Sequence, residues 1–244
     1  MKTALITGAN KSIGFEIARQ LLAQGYFVFL GSRDLQNGEK AVAQLNAEGF
    51  TQLKAIQIDV TDPASIEAAQ QAISSQAASL DALINNAGIS GGFPQNPTTT
   101  DTALIRQTFE TNFFGAINVT RAFLPLLEKA ALPRIVNVTS GLASLTFQSD
   151  PTWKYYPVKG AAYGPSKTAL NAYTIALAYE LRDTPFKVNA IDPGYTATDF
   201  NQHRGPGNIP DAAAIIVKYA TIDADGPTGK FFSNEIPGGG EYPW

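Results

Sequence analysis

The sequence has no cysteine, and its 244 residues include only one histidine, one methionine and two tryptophans. Without cysteine, the chain can form neither disulfide bonds nor thiolate metal sites. The single histidine, His203, cannot build a metal cluster by itself, so we predict that the protein has no metal site. We also expect His203 to be a solvent-exposed loop residue and not a catalytic base.

The sequence also lacks long apolar runs and clusters of basic residues. No apolar run is long enough to cross a bilayer, and Met1 and Lys2 lead directly into a strand-like segment without a signal-peptide pattern. The net charge of -3 disfavours a nucleic-acid or anionic membrane surface. We therefore expect a cytoplasmic protein that binds neither nucleic acid nor membrane, and whose partners are small neutral or apolar molecules.

What the sequence does have is a regular alternation of strand-like and helix-like segments. Strand-like segments lie at residues 3–7, 26–30, 53–58, 81–85, 134–140 and 187–191. The first helix ends at Gly25, and further helix-like segments lie at residues 40–48, 64–77, 101–127 and 161–182. Strict alternation predicts an α/β fold, a doubly wound parallel sheet with helices on both faces. We expect one such domain over residues 1–244.

The turn between the first strand and the first helix contains Gly8 and Gly14. A strand, a glycine turn and a helix aim backbone N–H groups and the positive helix end at one point, which suits a pyrophosphate. The second strand follows on schedule, so the pattern favours a dinucleotide site over a purely structural turn. In such sheets ligands bind beyond the carboxyl ends of the strands, where this chain places mostly small and polar residues.

The helix at residues 161–182 carries Tyr163 and Lys167, which are four residues apart. Side chains at this spacing are neighbours on a helix, so the ammonium group is expected to lower the pKa of the phenol. A phenol with a lowered pKa exchanges protons more readily near neutral pH. Taken alone, the pair is more often an ordinary surface pair than a catalytic one.

Taken together, these motifs resemble the short-chain dehydrogenase/reductase family over nearly the whole chain. The matching residues are Thr7, Gly8, Gly14, residues 85–88, Asn112, Ser140, Tyr163, Lys167, Pro193, Gly194 and Thr198. Residues 7–11, 32–34, 111–115 and 225–232 are similar to the carbonyl-reductase branch of that family. The resemblance implies a Rossmann-type fold and an NADPH-dependent oxidoreductase that reduces ketones, aldehydes or quinones to alcohols by hydride transfer.

The resemblance also implies roles for four catalytic residues. Tyr163 would donate a proton to the substrate carbonyl oxygen, and Ser140 would hold and polarise that oxygen. Lys167 would lower the tyrosine pKa and bind the nicotinamide ribose, while Asn112 would anchor a water that replaces the proton. Each residue has a plainer alternative, since Ser140 could satisfy a strand end and Asn112 could bridge a kink in its helix.

The same resemblance assigns the cofactor site. Arg33 after the second strand favours NADPH over NADH, with Lys11 as a second cation, and Asp34 is set aside because the family's discriminating position is Ser32. Ser12 stands where the family has a glycine and needs a compatible backbone angle. The expected cofactor-binding residues are Gly8, Asn10, Lys11, Ser12, Ile13, Gly14, Arg33, Asp59, Val60, Asn86, Ala87, Gly88, Tyr163, Lys167, Pro193, Gly194, Thr196 and Thr198.

Two segments are expected to shape an apolar substrate pocket: an active-site loop at residues 141–162 and a mobile lid at residues 200–210. Aromatic residues in the loop either wall the pocket or cover a surface used for oligomerisation. The tail at residues 241–244 either packs over the pocket, lies at a subunit contact or is unanchored. Phe113 and Phe114 are expected in the core.

The sequence leaves the oligomeric state and the exact function open. The chain is compatible with a homodimer, a homotetramer or a monomer that acts on a small-molecule carbonyl substrate. Two alternative functions are an alcohol dehydrogenase of the same family working oxidatively and an NADP(H)-binding redox sensor.

Overall fold

The computed structural model describes residues 1–244 and contains one seven-stranded sheet in which every strand pair is parallel. The strand order is β3-β2-β1-β4-β5-β6-β7. The strands are β1 Thr3–Ile6, β2 Phe27–Ser32, β3 Leu53–Gln57, β4 Ala82–Asn85, β5 Arg134–Val138, β6 Lys187–Asp192 and β7 Phe231–Ser233. The direction of winding reverses between β1 and β4, which is where ligands bind in doubly wound sheets. The predicted fold class is therefore confirmed.

Helices cover both faces of this sheet. They are α1 Ser12–Ala23, α2 Leu35–Ala47, α3 Pro63–Ser74, α4 Thr102–Phe109, α5 Gly115–Leu127, α6 Leu145–Gln148, α7 Tyr163–Glu180 and α8 Ile209–Ala220. A π-helical turn, Glu110–Phe114, joins α4 to α5, and short 3-10 turns lie at Gly141–Ala143 and Asp199–Asn201. None of these helices combines the length and the apolar character needed to cross a membrane.

The sheet separates two apolar cores because successive side chains of a strand point to opposite faces. In β1, Ile6 packs into a core shared with α1, α2 and α8, whereas Leu5 packs into a core shared with α3, α5 and α7. Both residues are fully buried. The continuous apolar runs predicted as strands are thus explained by burial on both faces.

Several element boundaries differ from the prediction, each for a local reason. The second helix begins at Leu35 and not at residue 40, because the Asp34 side chain caps it by accepting the Asn37 N–H at 2.9 Å. Elements α6, α8 and β7 were not predicted, although Asn208 caps α8 in the ordinary way. The expectation that Phe114 lies in the core is wrong, since the residue is 43% exposed.

Candidate active site

The π-helical turn between α4 and α5 places the side chain of Asn112 beneath the loop that follows β4. Its Oδ1 accepts the Ile89 N–H at 2.8 Å, and its Nδ2 donates to the Ile89 carbonyl at 2.9 Å and to Ser166 Oγ at 3.0 Å. Asn112 is 1% exposed. A π-turn inserts one residue into a helix and is frequent at functional sites. The alternative that Asn112 bridges an irregularity in its helix is therefore compatible with the predicted catalytic role.

Lys167 lies in the same buried region and approaches Asn112 across Gly88. Its Nζ donates to the Val138 carbonyl, at the end of β5, at 2.8 Å. A Cβ atom on Gly88 would lie 3.2 Å from Asn112 Oδ1 and 3.5 Å from Lys167 Nζ. The structure therefore brings these two predicted catalytic side chains close together on either side of Gly88, where a larger side chain would crowd Asn112.

Tyr163 and Ser140 interact through their hydroxyl groups. Ser140 follows β5, and its Oγ accepts the Leu142 N–H at 3.2 Å, so the plainer role of satisfying a strand end is also present. The partly buried ring of Tyr163 packs against Phe200 of the predicted lid, with ring centroids 5.4 Å apart. The four predicted catalytic residues thus come together from β5, α7 and the π-turn.

Burial dominates the protonation of this cluster. Burial raises the pKa of Tyr163 well above its ordinary value, the Ser140 hydroxyl opposes that rise, and the negative charge of Asp192 adds to it. Burial also lowers the pKa of Lys167 to about 8. The prediction that the tyrosine pKa is lowered is wrong for this structure, because the effect of burial is the largest and Lys167 Nζ bonds the Val138 carbonyl.

The glycine turn has little room for side chains at two positions. Gly8 has φ +63°, and a Cβ on Gly14 would lie 2.5 Å from the Gly8 carbonyl oxygen, so both positions need glycine. Ser12 has φ 51°, a left-handed angle that a side chain tolerates poorly. No side chain caps α1 at Lys11, so its first-turn N–H groups suit an anion.

The segment after β4 is bonded to this turn, so two predicted cofactor-binding segments lie side by side. Asn86 Nδ2 donates to the Thr7 carbonyl at 2.9 Å and to the Gly8 carbonyl at 3.1 Å. Thr7 Oγ1 in turn accepts the N–H groups of Asn86 and Ala87, both at 3.0 Å. The Asn86 amide nitrogen therefore acts within the protein, and the structure gives it a turn-holding role.

The cations of the cleft differ in their partners. The exposed Arg33 side chain makes no salt bridge or hydrogen bond, whereas Lys11 Nζ lies 3.2 Å from Asp199 Oδ2. Asp34 is engaged as the cap of α2. Asp59 Oδ1 accepts the N–H and the hydroxyl of Thr61 at 2.9 and 2.8 Å, and the neighbouring Val60 is 7% exposed.

The segment after β6 carries the remaining predicted cofactor-binding residues. Gly194, next to Pro193, has φ +79°, and Thr196 and Thr198 are each 4% exposed. His203 has an exposed side chain, as predicted, and its Nε2 lies 3.0 Å from Asp199 Oδ1. The predicted lid is shorter than residues 200–210, because the last two of these belong to α8.

The tail and the active-site loop pack together through aromatic rings. The Tyr242 ring is 4.8 Å from that of Phe147, and Phe147 stacks on Trp153 at 5.7 Å. The Trp244 carbonyl accepts the Thr146 N–H at 3.0 Å. The tail is therefore anchored, and the alternative of an unanchored tail is wrong.

Two buried polar residues near the site were not singled out from the sequence. Asp192 ends β6 and accepts the Ser233 hydroxyl at 2.6 Å and the Gly194 N–H at 3.0 Å. Gln95 lies in a loop that gave no signal beyond its glycine and proline content. The position of Asp192 at a carboxyl strand end was a usable signal, whereas the partners of Gln95 are distant in sequence.

Comparison with known proteins agrees with this architecture. The family model described as "short chain dehydrogenase" matches residues 2–208. The (+)-neomenthol dehydrogenase of Capsicum annuum is 33% identical over an alignment that covers 94% of each chain. The chain belongs to the short-chain dehydrogenase family. It is therefore an oxidoreductase of a family that uses nicotinamide cofactors.

Solved structures of the short-chain dehydrogenase family superpose on most of the chain. Salutaridine reductase from Papaver somniferum has a TM-score of 0.85 at 30% identity, over 96% of this chain and all of that one. NADPH-bound carbonyl reductase from chicken fatty liver has a TM-score of 0.83 at 27% identity, over 100% of this chain and 99% of its own. The alignment with neomenthol dehydrogenase spans 298 positions, more than the 244 residues here, so that relative carries inserted residues.

Proposed function

We propose that this short-chain dehydrogenase is an NADPH-dependent reductase of ketones, aldehydes or quinones, with Tyr163 as the proton donor. The observation that carries the proposal is the convergence of a phenol, a hydroxyl, a buried ammonium group and a buried amide in one cleft. We assign Tyr163 and Ser140 to the substrate carbonyl, and Lys167 and Asn112, which are bonded to Val138 and Ser166, to the support of Tyr163. A purely structural cluster has no need of all four groups.

The protonation states favour reduction. A nicotinamide cofactor held by this cleft would supply the hydride. Because its pKa is raised, Tyr163 is protonated at neutral pH and can donate to the carbonyl oxygen of a substrate. Lys167, whose pKa is about 8, is mostly charged at pH 7 and stabilises the phenolate that remains. Ser140 donates a hydrogen bond to the same carbonyl oxygen and polarises it.

Proton supply to the tyrosine is assigned to the buried polar residues behind it. Asn112 and Lys167 border the same space above Gly88, where a water molecule would have an amide oxygen and an ammonium group as partners. We assign that water the role of returning a proton to Tyr163 through Lys167 after each turnover.

The residues of the cleft fit an NADP-type cofactor. The glycine turn and the start of α1 would hold the diphosphate through backbone N–H groups, and Gly194, Thr196 and Thr198 would border the nicotinamide. The Arg33 guanidinium has no partner in the protein, which supports binding of the 2′-phosphate. Asp34 caps α2, so its carboxylate is already engaged and does not argue for NADH.

The substrate is proposed to be a neutral carbonyl compound with apolar bulk. Large apolar side chains stand exposed around the cleft: Phe93 at 56%, Phe200 at 45% and Tyr195 at 41%. Apolar rims with a few polar groups are typical of small-molecule sites. Relatives include proteins named neomenthol dehydrogenase and salutaridine reductase, and both names fit a chemistry of ketones and alcohols.

The test is to follow NADPH consumption with a panel of ketones, aldehydes and quinones. The Tyr163→Phe variant should lose turnover by about 10² to 10⁴, the usual contribution of a general acid. Tyr179→Phe is the matched control, because Tyr179 lies on the same helix and is 68% exposed. Faster oxidation of the corresponding alcohols would favour the dehydrogenase alternative, and NADPH binding without any turnover would favour the redox sensor.

A further inference from the structure

Gln95 is a buried glutamine in the loop after β4, 68 residues before Tyr163 in the sequence. It is 1% exposed, which is unusual for a polar side chain unless its hydrogen bonds are satisfied. Its partners lie at the start of the catalytic helix α7 and in its own loop. These partners indicate what the buried amide does for the site.

One end of the Gln95 side chain caps α7. The N-terminal residue of a helix normally supplies a side-chain acceptor for the free N–H groups of the first turn, but Ala162 at this position has none. Gln95 Oε1 accepts the N–H of Ala162 at 3.2 Å and that of Tyr163 at 3.0 Å. The Gln95 main-chain carbonyl accepts the Ala161 N–H at 2.9 Å. Gln95 thus accepts hydrogen bonds from three consecutive main-chain N–H groups.

The other end of the side chain holds the loop after β4. Gln95 Nε2 donates to the carbonyls of Ser90 and Gly92, each at 2.6 Å, and so uses both of its hydrogens. The adjacent Ile89 is bonded on both its N–H and its carbonyl by Asn112. Gln95 therefore connects the loop that contacts Asn112 with the backbone of Tyr163.

The site around Gln95 has little freedom to relax. A Cβ atom on Gly160 would lie 2.8 Å from Gln95 Oε1, so the chain passes close to the amide. An amide carries two donors and an acceptor in one plane, and both functions are used here. An apolar side chain of similar length would leave four main-chain groups without these partners.

We propose that Gln95 is a positioning residue that sets the backbone of Tyr163 relative to Ser140 and Lys167. This inference rests on the proposed carbonyl reduction and deepens it. A displacement of the proton donor by about 1 Å can cost on the order of a hundredfold in rate. The cofactor turn makes no bond with Gln95, so its removal should lower kcat and leave NADPH binding intact.

The test compares Gln95→Met and Gln95→Asn with the unchanged enzyme. Gln95→Met keeps the length but removes every amide bond, while Gln95→Asn keeps the amide and shortens its reach by one methylene. Gln44→Met is the control, because Gln44 lies exposed on α2, far from these contacts. Steady-state kinetics gives kcat and both KM values, and amide hydrogen exchange reports on residues 89–92 and 161–166.

We expect kcat to fall by about tenfold or more in Gln95→Met and by less in Gln95→Asn, with the NADPH KM within about twofold. Amide exchange should accelerate only in the two segments named. An unchanged kcat or unchanged exchange at Ala162 and Tyr163 would overturn the inference, as would faster exchange throughout the molecule. Absence of turnover by the unchanged enzyme would instead contradict the proposed function.

Discussion

Two acidic residues on the proposed cofactor side of the cleft make local contacts, whereas two contacts on the proposed catalytic side join segments that are distant in sequence. On the cofactor side, the Asp34 side chain accepts a hydrogen bond from Asn37, three residues later in the sequence. The Asp59 side chain accepts one from Thr61, two residues later. On the catalytic side, the bond that the Tyr163 N–H donates to Gln95 spans 68 residues, and the bond that the Ser144 hydroxyl donates to Trp244 spans 100. The Thr7–Asn86 bonds are a long-range exception on the cofactor side, because they join the turn after β1 to the segment after β4.

This difference predicts how the two sides respond to substitution. Local contacts can be changed one at a time, so variants on the cofactor side should alter affinity and leave the rest of the protein unaffected. Long-range contacts link several elements, so variants on the catalytic side should change turnover or stability by larger amounts. Four substitutions test this contrast, beginning with the largest expected effect.

Lys167→Met should abolish most turnover, by about 10³ or more, because the phenolate formed at Tyr163 would lose its counter-charge. The same change should raise the free energy of unfolding at pH 7. The pKa of Lys167 falls from 10.5 to about 8 on folding, so burial of the charged form is unfavourable. The gain should reach at most about 3 kcal/mol, less the lost bond to Val138.

The pH dependence of this effect has a definite sign. Between about pH 8 and 10.5 the unfolded state holds the lysine proton more tightly than the folded state, so wild-type stability should rise with pH there. Lys167→Met should lack that contribution, as urea unfolding at pH 7 and 9.5 can measure. Reduction by the wild type should decline above about pH 8 as the lysine loses its charge. Identical stability profiles for both proteins would refute this account, and Lys40→Met on exposed α2 serves as the control.

Tyr242→Ala should lower the free energy of unfolding by about 3 kcal/mol, because a large buried aromatic residue is removed. Tyr242 is 3% exposed and packs against Phe147 and Phe231. Turnover should fall as well, since the active-site loop loses its support, while the NADPH KM stays unchanged. Thermal or urea unfolding measures the first effect, and the exposed Tyr179→Ala control should change stability by less than about 0.5 kcal/mol.

Arg33→Asp should weaken NADPH binding by about tenfold to hundredfold through loss of a charge-assisted contact to the 2′-phosphate. NADH binding should change far less. Kinetics with both cofactors gives the comparison, with Arg182→Asp as an exposed control just past the end of α7. Equal loss for NADPH and NADH would eliminate the proposed cofactor preference.

Ser12→Gly should have the smallest effect. Its φ of 51° is strained for serine, so glycine should raise the free energy of unfolding by about 0.5 kcal/mol after the entropy of the unfolded chain is counted. Ser12→Ala keeps the strain and removes the hydroxyl. NADPH titration of both variants therefore separates the effect of the backbone angle on cofactor binding from the effect of the hydroxyl. Equal free energies of unfolding for the two variants would show that the backbone angle does not affect stability.

The sequence by itself determined the fold class, the glycine turn and the placement of Tyr163 and Lys167 on one helix. These features depend on periodicity, on φ preferences and on contacts a few residues apart, all of which a linear pattern records. The cap at Asp34 is also a local contact, but it was not predicted, and the second helix therefore begins earlier than its apolar periodicity indicates.

Only the tertiary structure decided the rest. The π-turn that places Asn112, the cap that Gln95 provides for α7 and the anchoring of the tail by Tyr242 all join segments that are far apart in sequence. The direction of the Tyr163 pKa shift belongs with these features, because desolvation depends on every residue packed around the phenol. Helical spacing could pair Tyr163 with Lys167, but it carried no information on how deeply either side chain is buried.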